Sequence, residues 1–494
     1  MRKVIEKQMK IGQVPISKIE IDPRSRDEIP QLLFGLQMIH ANKSLCTGVF
    51  DLLQDITPKN VDTENGRPGM DLWKILVLGT LRLNCNWDYD KVHNMANEHK
   101  TIRKFLGHAL FDFDQTYGLQ TIKDNVSLLK PEVLDKINEL VVKFGHQLIG
   151  HHKSATLNGR CDSFVVETDV HFPTDINLLL DAIRKVLFLI GRECNQLGIT
   201  DWRQYEYIYK KIKKRFNRAN KIKRSTSKNP DKKAVIEQQI KDAHTAYVDL
   251  VESYVGRAKQ SIGILNGMGI ASIARALLIE KYLAHADRQI DQIRRRVIKG
   301  ERISHDEKVF SIFEEHTEWI SKGKAGVPQE LGLRVCILED QYGFILHHHV
   351  MEQQTDDKVA VQMVMDTRRK FACLDGCSFD KGFYSPENKA SLSTFLERVI
   401  LPKKGRLSVK EKEEQNTDEF IELKRKHAAV ESGISALENH GLDRCRDHGI
   451  EGFKRYIALS VLARNIQKLG VLIQKKKLKQ LKRKKAEINF QIAA

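Results

Sequence analysis

The spacing of apolar positions divides the chain into a helical first third, a polar helical middle and a strand-rich last third. After the turn signal Gly66-Arg-Pro-Gly69, residues Leu72, Ile75, Leu76, Gly79 and Leu83 recur at helical spacing. A second helix is predicted from Asp88 to Glu98, with Val92, Met95 and Ala96 inward, and a third from Thr101 to Leu106, stopped by Gly107. Short helices in this order fit a helix-turn-helix whose second member presents Lys100, Arg103 and Lys104 to DNA; a plain helical bundle fits the same pattern. Residues 1–155 are therefore expected to form an all-helical amino-terminal domain.

The first strand signal is Phe164-Val165-Val166, which places Glu167 and Asp169 two apart at its carboxyl end. A carboxylate at the end of a buried strand is a rigid metal ligand in one reading and a turn former or salt-bridge partner in the other. Residues 176–304 then turn helical and polar. Within them, Arg203 to Lys233 holds 13 Lys/Arg against two acids, with Tyr205, Tyr207, Tyr209 and Phe216 interleaved. Lys210, Lys211, Lys213, Lys214 and Arg215 are the candidate phosphate contacts, with the rings on bases; a solvated helix face with its aromatics in the core is the alternative. Ser225 to Pro230 breaks the run, and helices from Asp231 to Tyr254 and from Ala274 to Arg296 are expected to pair as an antiparallel hairpin. The block reads as an insertion.

From residue 305 the pattern becomes strand-like, at 308–313, 331–338 and 344–350, with a hairpin turn at Glu339-Asp-Gln-Tyr-Gly343. Alternation sends His348 to the face opposite His347 and His349, so the triple histidine reads as sheet surface rather than as a metal site. A further strand ends at Asp380, followed by Lys381, a turn at Gly382 and a helix capped by Ser385-Pro386. A helix from Thr417 to Glu438 carries the apolar seam Phe420, Leu423, Val430, Ile434 and Leu437, with Lys424, His427, Glu431 and Glu438 along its flank.

Charge now narrows the partner. With 82 Lys+Arg against 64 Asp+Glu, a net charge of +18 and a pI near 9.4, the chain suits a polyanion, and nucleic acid most simply. Residues 471–494 form an expected basic tail through Lys475-Lys-Lys477 and Lys482-Arg-Lys-Lys485. No apolar run approaches a membrane span and the first residues lack a signal-peptide core, so a soluble, cytoplasmic, nucleoid-associated protein is expected. Eight cysteines without a C-x-x-C pair point to neither a zinc ribbon nor a disulfide framework.

The segments ETDVHFPTD, SFDKGFYSPEN and HAAVESGISALENHGLDRCRDHGIEGFKRYIALSVLARN resemble the catalytic-core blocks of DDE insertion-sequence transposases, most of all the group labelled ISNCY. The segment LWKILVLGTLRLNCNWDYDKVHNMANEHKTIRKFLG is similar to that family's helical domain. The resemblance implies an α+β/α/β mixed fold: an RNase H-like core over residues 160–175 and 305–470, interrupted by the insertion at 176–304. It matches Asp169 to the first acid, Asp380 to the second and Glu431 to the third, with Lys381 and His427 near the DNA phosphates. Where relatives often carry Tyr and Arg before the last acid and Lys seven residues after it, this chain has His427 before and Glu438 after, so Glu438 competes with Glu431. The implied cofactor is Mg²⁺, two ions per site and replaceable by Mn²⁺, without a nucleotide. The implied partners are double-stranded DNA, as terminal repeats and target, and a second or further copy of the chain. A metal-dependent nuclease without strand transfer, or a non-catalytic DNA-binding protein, remains as the alternative.

Overall fold

The computed structural model describes residues 3–5, 9–57, 69–109, 112, 114–150, 156–321 and 329–493; the first part of the turn expected at Gly66-Arg-Pro-Gly69 lies outside them. The chain separates into two compact units, residues 1–169 with 320–494, and residues 170–319.

In the first unit, seven α-helices precede the sheet among the described residues: α1 (Glu28–Ala41), α2 (Lys43–Gln54), α3 (Leu72–Asn84), α4 (Tyr89–Glu98), α5 (Lys100–Phe105), α6 (Leu119–Val126) and α7 (Pro131–Leu148). Side chains of Asp27, Asn42, Asp88 and His99 cap α1, α2, α4 and α5 by accepting backbone N–H bonds, which is why these helices start where they do. Strand β1 (Leu157–Thr168) follows, and the chain then leaves for the second unit.

That unit is helical: α8 (Asp175–Gln196), α9 (Tyr205–Ile222), α10 (Pro230–Leu265) and α11 (Ile270–Ile293). Asn229 caps α10 with Pro230 at its first position, so the expected break stands, but the hairpin helices run further toward their shared turn than the sequence indicated. Residues 308–313 are not a strand. Ile312 is buried in this unit's core and Phe310 packs on Trp319, so the segment belongs with the helices and the unit extends to residue 319 instead of 304.

The remaining elements are β2 (Glu318–Ser321), β3 (Gln329–Asp340), β4 (Ile345–Met351), α12 (Asp356–Lys370), β5 (Leu374–Phe379), α13 (Pro386–Phe395), β6 (Arg398–Ile400), α14 (Val409–Gln415), α15 (Asp418–His427), α16 (Ala429–Leu437), β7 (Arg444–Cys445) and α17 (Gly449–Ala493). The sheet runs β2-β3-β1-β5-β6, with β4 also on β3 and β7 on β1. Strand β1 is antiparallel to β3 and parallel to β5, which is parallel to β6. A mixed sheet flanked by helices in this way is compatible with an RNase H-like core.

The amino-terminal helices have no core of their own. Leu32, Phe34, Trp73, Leu76, Leu134 and Ile137 share one apolar cluster with Val166, Val335, Ile457, Leu462 and Ile466. Helix α17 is its spine, and α1 approaches so closely that a Cβ on Gly470 would lie 1.7 Å from the Gln31 carbonyl oxygen, and one on Gly35 2.1 Å from that of Ile466. One window of α17 is long and apolar enough to cross a membrane, but 78% of it is buried in the fold. The expected tail is a continuation of this helix, still packed at Ile473 and Gln474, whose amide donates to the Pro23 and Ser25 carbonyls.

Gly470→Ala should therefore destabilise the protein by about 1–3 kcal/mol through overpacking. Gly256→Ala, in α10 with nothing within 4 Å of the new methyl, should stabilise it by about 0.5–1 kcal/mol. Denaturant unfolding of both variants checks the pair; equal effects would show that the α1–α17 approach is not close.

Candidate active site

Half of β1 faces β5, and that half decides which acids meet. The last registered pair is Cys161 opposite Phe379, so the next residues, Asp162 and Asp380, stand side by side on parallel strands about 4.8 Å apart. Helix α12 starts with Asp356, whose Oδ1 accepts from the Ser163 hydroxyl at 2.6 Å. Its Oδ2 lies 2.6 Å from where a Cβ on Gly382 would be, so this carboxylate rests against the turn that follows Asp380. Glu431 reaches the group from the first turn of α16. That helix is seated on the sheet at Gly433, where a Cβ would stand 2.3 Å from the Glu339 carboxylate.

Burial pushes the Asp162 carboxyl up to about 7; the negative charges of Asp380, Asp356 and Glu431 add to this, and the Ser163 N–H, 2.8 Å from Asp162 Oδ1, opposes it. His427 ends α15 with Nδ1 3.0 Å from the Ser378 hydroxyl. Burial holds its imidazole below the ordinary range despite the upward pull of Asp380 and Glu431. Arg160 lies 3.3 Å from Glu339, whose carboxyl burial pushes up to about 7 against the arginine's influence.

Asp169 is not brought to this group. It lies seven residues beyond Asp162, roughly 20 Å along an extended strand, and an odd separation turns it to the opposite face. There Arg444 binds it at 3.7 Å and Glu167 at 3.0 Å. Asp169 and Glu438 instead line a separate cavity of about 480 Å³ with Glu167, Glu330, Asp443 and Arg444. The expected set of three acids is thus divided: Asp380 and Glu431 converge, and Asp162 stands where Asp169 was expected. The reason is local. The apolar run Phe164 to Val166 marks only the strand's far end, whereas the strand begins at Leu157 and meets β5 only over its first five residues. A lone charge between Cys161 and Phe164, in a strand buried along much of its length, was the available signal for Asp162. Asp356 had none beyond an acidic helix start.

The long helix expected from Thr417 to Glu438 is broken at Ala428 into α15 and α16. Lys381 is exposed beside Asp380. Arg103 is committed inward, donating to the backbone carbonyls of Asn97, Gln115 and Asp112, while Lys100 and Lys104 line a cavity of about 480 Å³ with His108. In the second unit Lys210, Lys211, Lys213, Lys214 and Arg215 all face outward from α9. Tyr205 and Tyr209 pack on Phe188, and Phe216 on Tyr247, so only Tyr207 of the four interleaved aromatics is exposed.

Among the described residues, no three His, Cys, Asp or Glu side chains already stand as a closed metal chelate. The donor set nevertheless fits a hard divalent cation: Asp162, Asp380, Glu431 and Asp356 offer only oxygen ligands, and the last three each raise the cost of charge on Asp162. Residues 298–466 match the family model described as Transposase DDE domain; the match includes Asp356, Asp380 and Glu431 and excludes β1. No curated protein and no solved structure matches the chain.

Since the folded-state pKa of Asp162 is above its unfolded value, the metal-free fold binds the extra proton between about pH 4 and 7. Stability from this group should therefore fall as pH rises through that window. In chelator, Asp162→Asn should melt above the parent at pH 8 and level with it at pH 4. A melting difference independent of pH would remove Asp162 from the cluster.

Proposed function

We propose that this chain, whose residues 298–466 match the transposase DDE domain, is an enzyme acting on DNA that binds the terminal inverted repeats of its element, cleaves phosphodiesters there and joins the ends to target DNA. We place it in the ISNCY-like group on the sequence blocks described above. The catalytic acids in this reading are Asp162, Asp380 and Glu431, with Asp356 supporting them. The observation that carries it is their convergence where β1 meets the end of β5.

DDE transposases generally use divalent metal ions, and here the carboxylates of Asp162, Asp380 and Glu431 would hold them, Mg²⁺ or Mn²⁺, two per site. When bound, these ions supply Lewis acidity for in-line displacement at phosphorus by water or a DNA 3′-hydroxyl. The chain's own residues do the positioning. Ser163 fixes Asp356 with a hydroxyl bond, so that this acid keeps its place between the middle of β1 and the turn after Asp380. The Glu339–Gly433 contact sets the depth of α16 and with it the reach of Glu431. Lys381 is free in orientation to meet a DNA phosphate next to Asp380, and neutral His427 can donate to a phosphate oxygen or accept from a hydroxyl. The basic face of α9, with Lys210, Lys211, Lys213, Lys214 and Arg215, tracks further backbone through phosphate contacts.

Asp162→Asn, Asp380→Asn and Glu431→Gln should each reduce metal-dependent nicking and strand transfer on a duplex carrying the terminal repeat by at least about 10³-fold, with DNA affinity kept or raised. Asp169→Asn and Glu438→Gln should retain activity within about tenfold, and Asp356→Asn should fall between the two groups. Gel assays for nicked and joined products separate the outcomes. Nicking without any joined product would reduce the reading to a nuclease; full activity in Asp162→Asn with loss in Asp169→Asn would overturn the acid assignment.

A further inference from the structure

The turn between α10 and α11 carries an apolar surface that the second unit leaves uncovered. Ile264 (47% exposed), Met268 (49%), Ile270 (87%), Ile273 (39%), Leu277 (61%) and Leu278 (41%) all lie within fifteen residues of one another. The inward face of the same segment is apolar as well, with Leu265, Ala276 and Ile279 fully buried. Apart from Ser272 and Arg275, both bonded to Glu193, the start of α11 is therefore apolar on its inward and outward faces alike, the pattern of a helix enclosed by protein. At Glu280 the outward face changes character abruptly, continuing through Glu280, Lys281, Asp287 and Arg288, all exposed.

We infer that this hairpin tip is a self-association surface whose occupant is the tip of a second copy of this chain. Charge favours that occupant. Between Lys259 and Glu280 the only charged residue is Arg275, which is bonded to Glu193 and to Gln196. Two copies of a chain with a net charge of +18 repel over most approaches, and a tip whose single cation is already paired is where they meet at least cost. The same scarcity of cations, with Arg275 bound to Glu193, makes the tip a poor surface for DNA. Its rim is internally neutralised, with Lys259 on Asp287 at 2.8 Å and Lys281 on Glu315 at 3.1 Å. The six exposed residues amount to roughly 600 Å², about three quarters of the roughly 800 Å² per partner in a standard interface, so the tip supplies the apolar centre of such a contact and the ion-paired rim its edge. Ile270, Ile273 and Leu277 repeat at i, i+3 and i+7, the stripe by which one helix packs on another. The inference does not depend on the chemistry of the carboxylate site.

Sedimentation velocity of the full chain over a range of concentrations tests it. The parent should dimerise reversibly, and the double variant Ile273→Glu with Leu277→Glu should raise the dimer dissociation constant by at least roughly a hundredfold, because a two-fold contact loses each side chain twice. Its melting temperature should match the parent's, since both positions are exposed in a single copy. Leu277→Cys should give an oxidised, cross-linked dimer that the parent does not give and that adding Ile273→Glu suppresses. A parent that is monomeric throughout, a dimer undiminished in the double variant, or binding of the parent to phosphatidylcholine vesicles without self-association would each overturn the inference.

Discussion

Mutual repulsion among like charges is the constraint on which this fold turns. Asp162 and Asp380 are placed side by side by strand pairing, and Glu431 and Asp356 are brought to them by two helices. Two carboxylates about 4 Å apart repel by about 4 kcal/mol at an effective dielectric near 20. The scaffold must supply what the acids themselves oppose. It does so with a central strand paired on both sides, a serine that binds Asp356, and a helix seated on the sheet through a glycine. The apolar cluster that joins β1 and β3 to α17 and the amino-terminal helices anchors the same strand. Distant helices thereby contribute to holding a charged arrangement that would otherwise spread apart.

Much of this was legible in the sequence. The ends of β5 and the cap of α13 follow from an apolar run, a glycine and Ser385-Pro386, and Asp380 falls out of them; Glu431 follows from helical spacing. What could not be read was pairing. A strand's sequence gives its faces, but which part of it lies beside another strand depends on a partner more than 200 residues away, and Asp162 is selected by that partner alone. The aromatics of α9 failed for a related reason: a tyrosine at helical spacing serves a core or a ligand equally well until its neighbours Phe188 and Tyr247 are known. The residues at 308–313 have strand composition, but Ile312 and Phe310 are taken up by helices and by Trp319.

The charge of the chain is also distributed with a logic that composition hides. Cations on α9 and at the exposed end of α17 face outward, whereas Arg82 is buried against Asp447 with Tyr89 beside it and serves the core. Arg103 likewise ties a loop together through backbone carbonyls. A basic residue's position in a motif therefore says less about DNA than the direction in which its head group is free to point.

The pairing order has a consequence for how the protein is made. Strand β1 is synthesised about 160 residues before its first partner, β3, and α17 comes last of all. At roughly 5–20 residues per second, β1 waits on the order of 10–30 s beside the ribosome with both edges open, while the helical second unit, which has an apolar core within itself, can fold. During that interval the nascent chain carries an unpaired apolar strand, the kind of segment that chaperones and neighbouring nascent chains capture. Strand β1 is short of partners in time and not in space, and synthesis rate becomes a determinant of how much protein reaches the sheet at all.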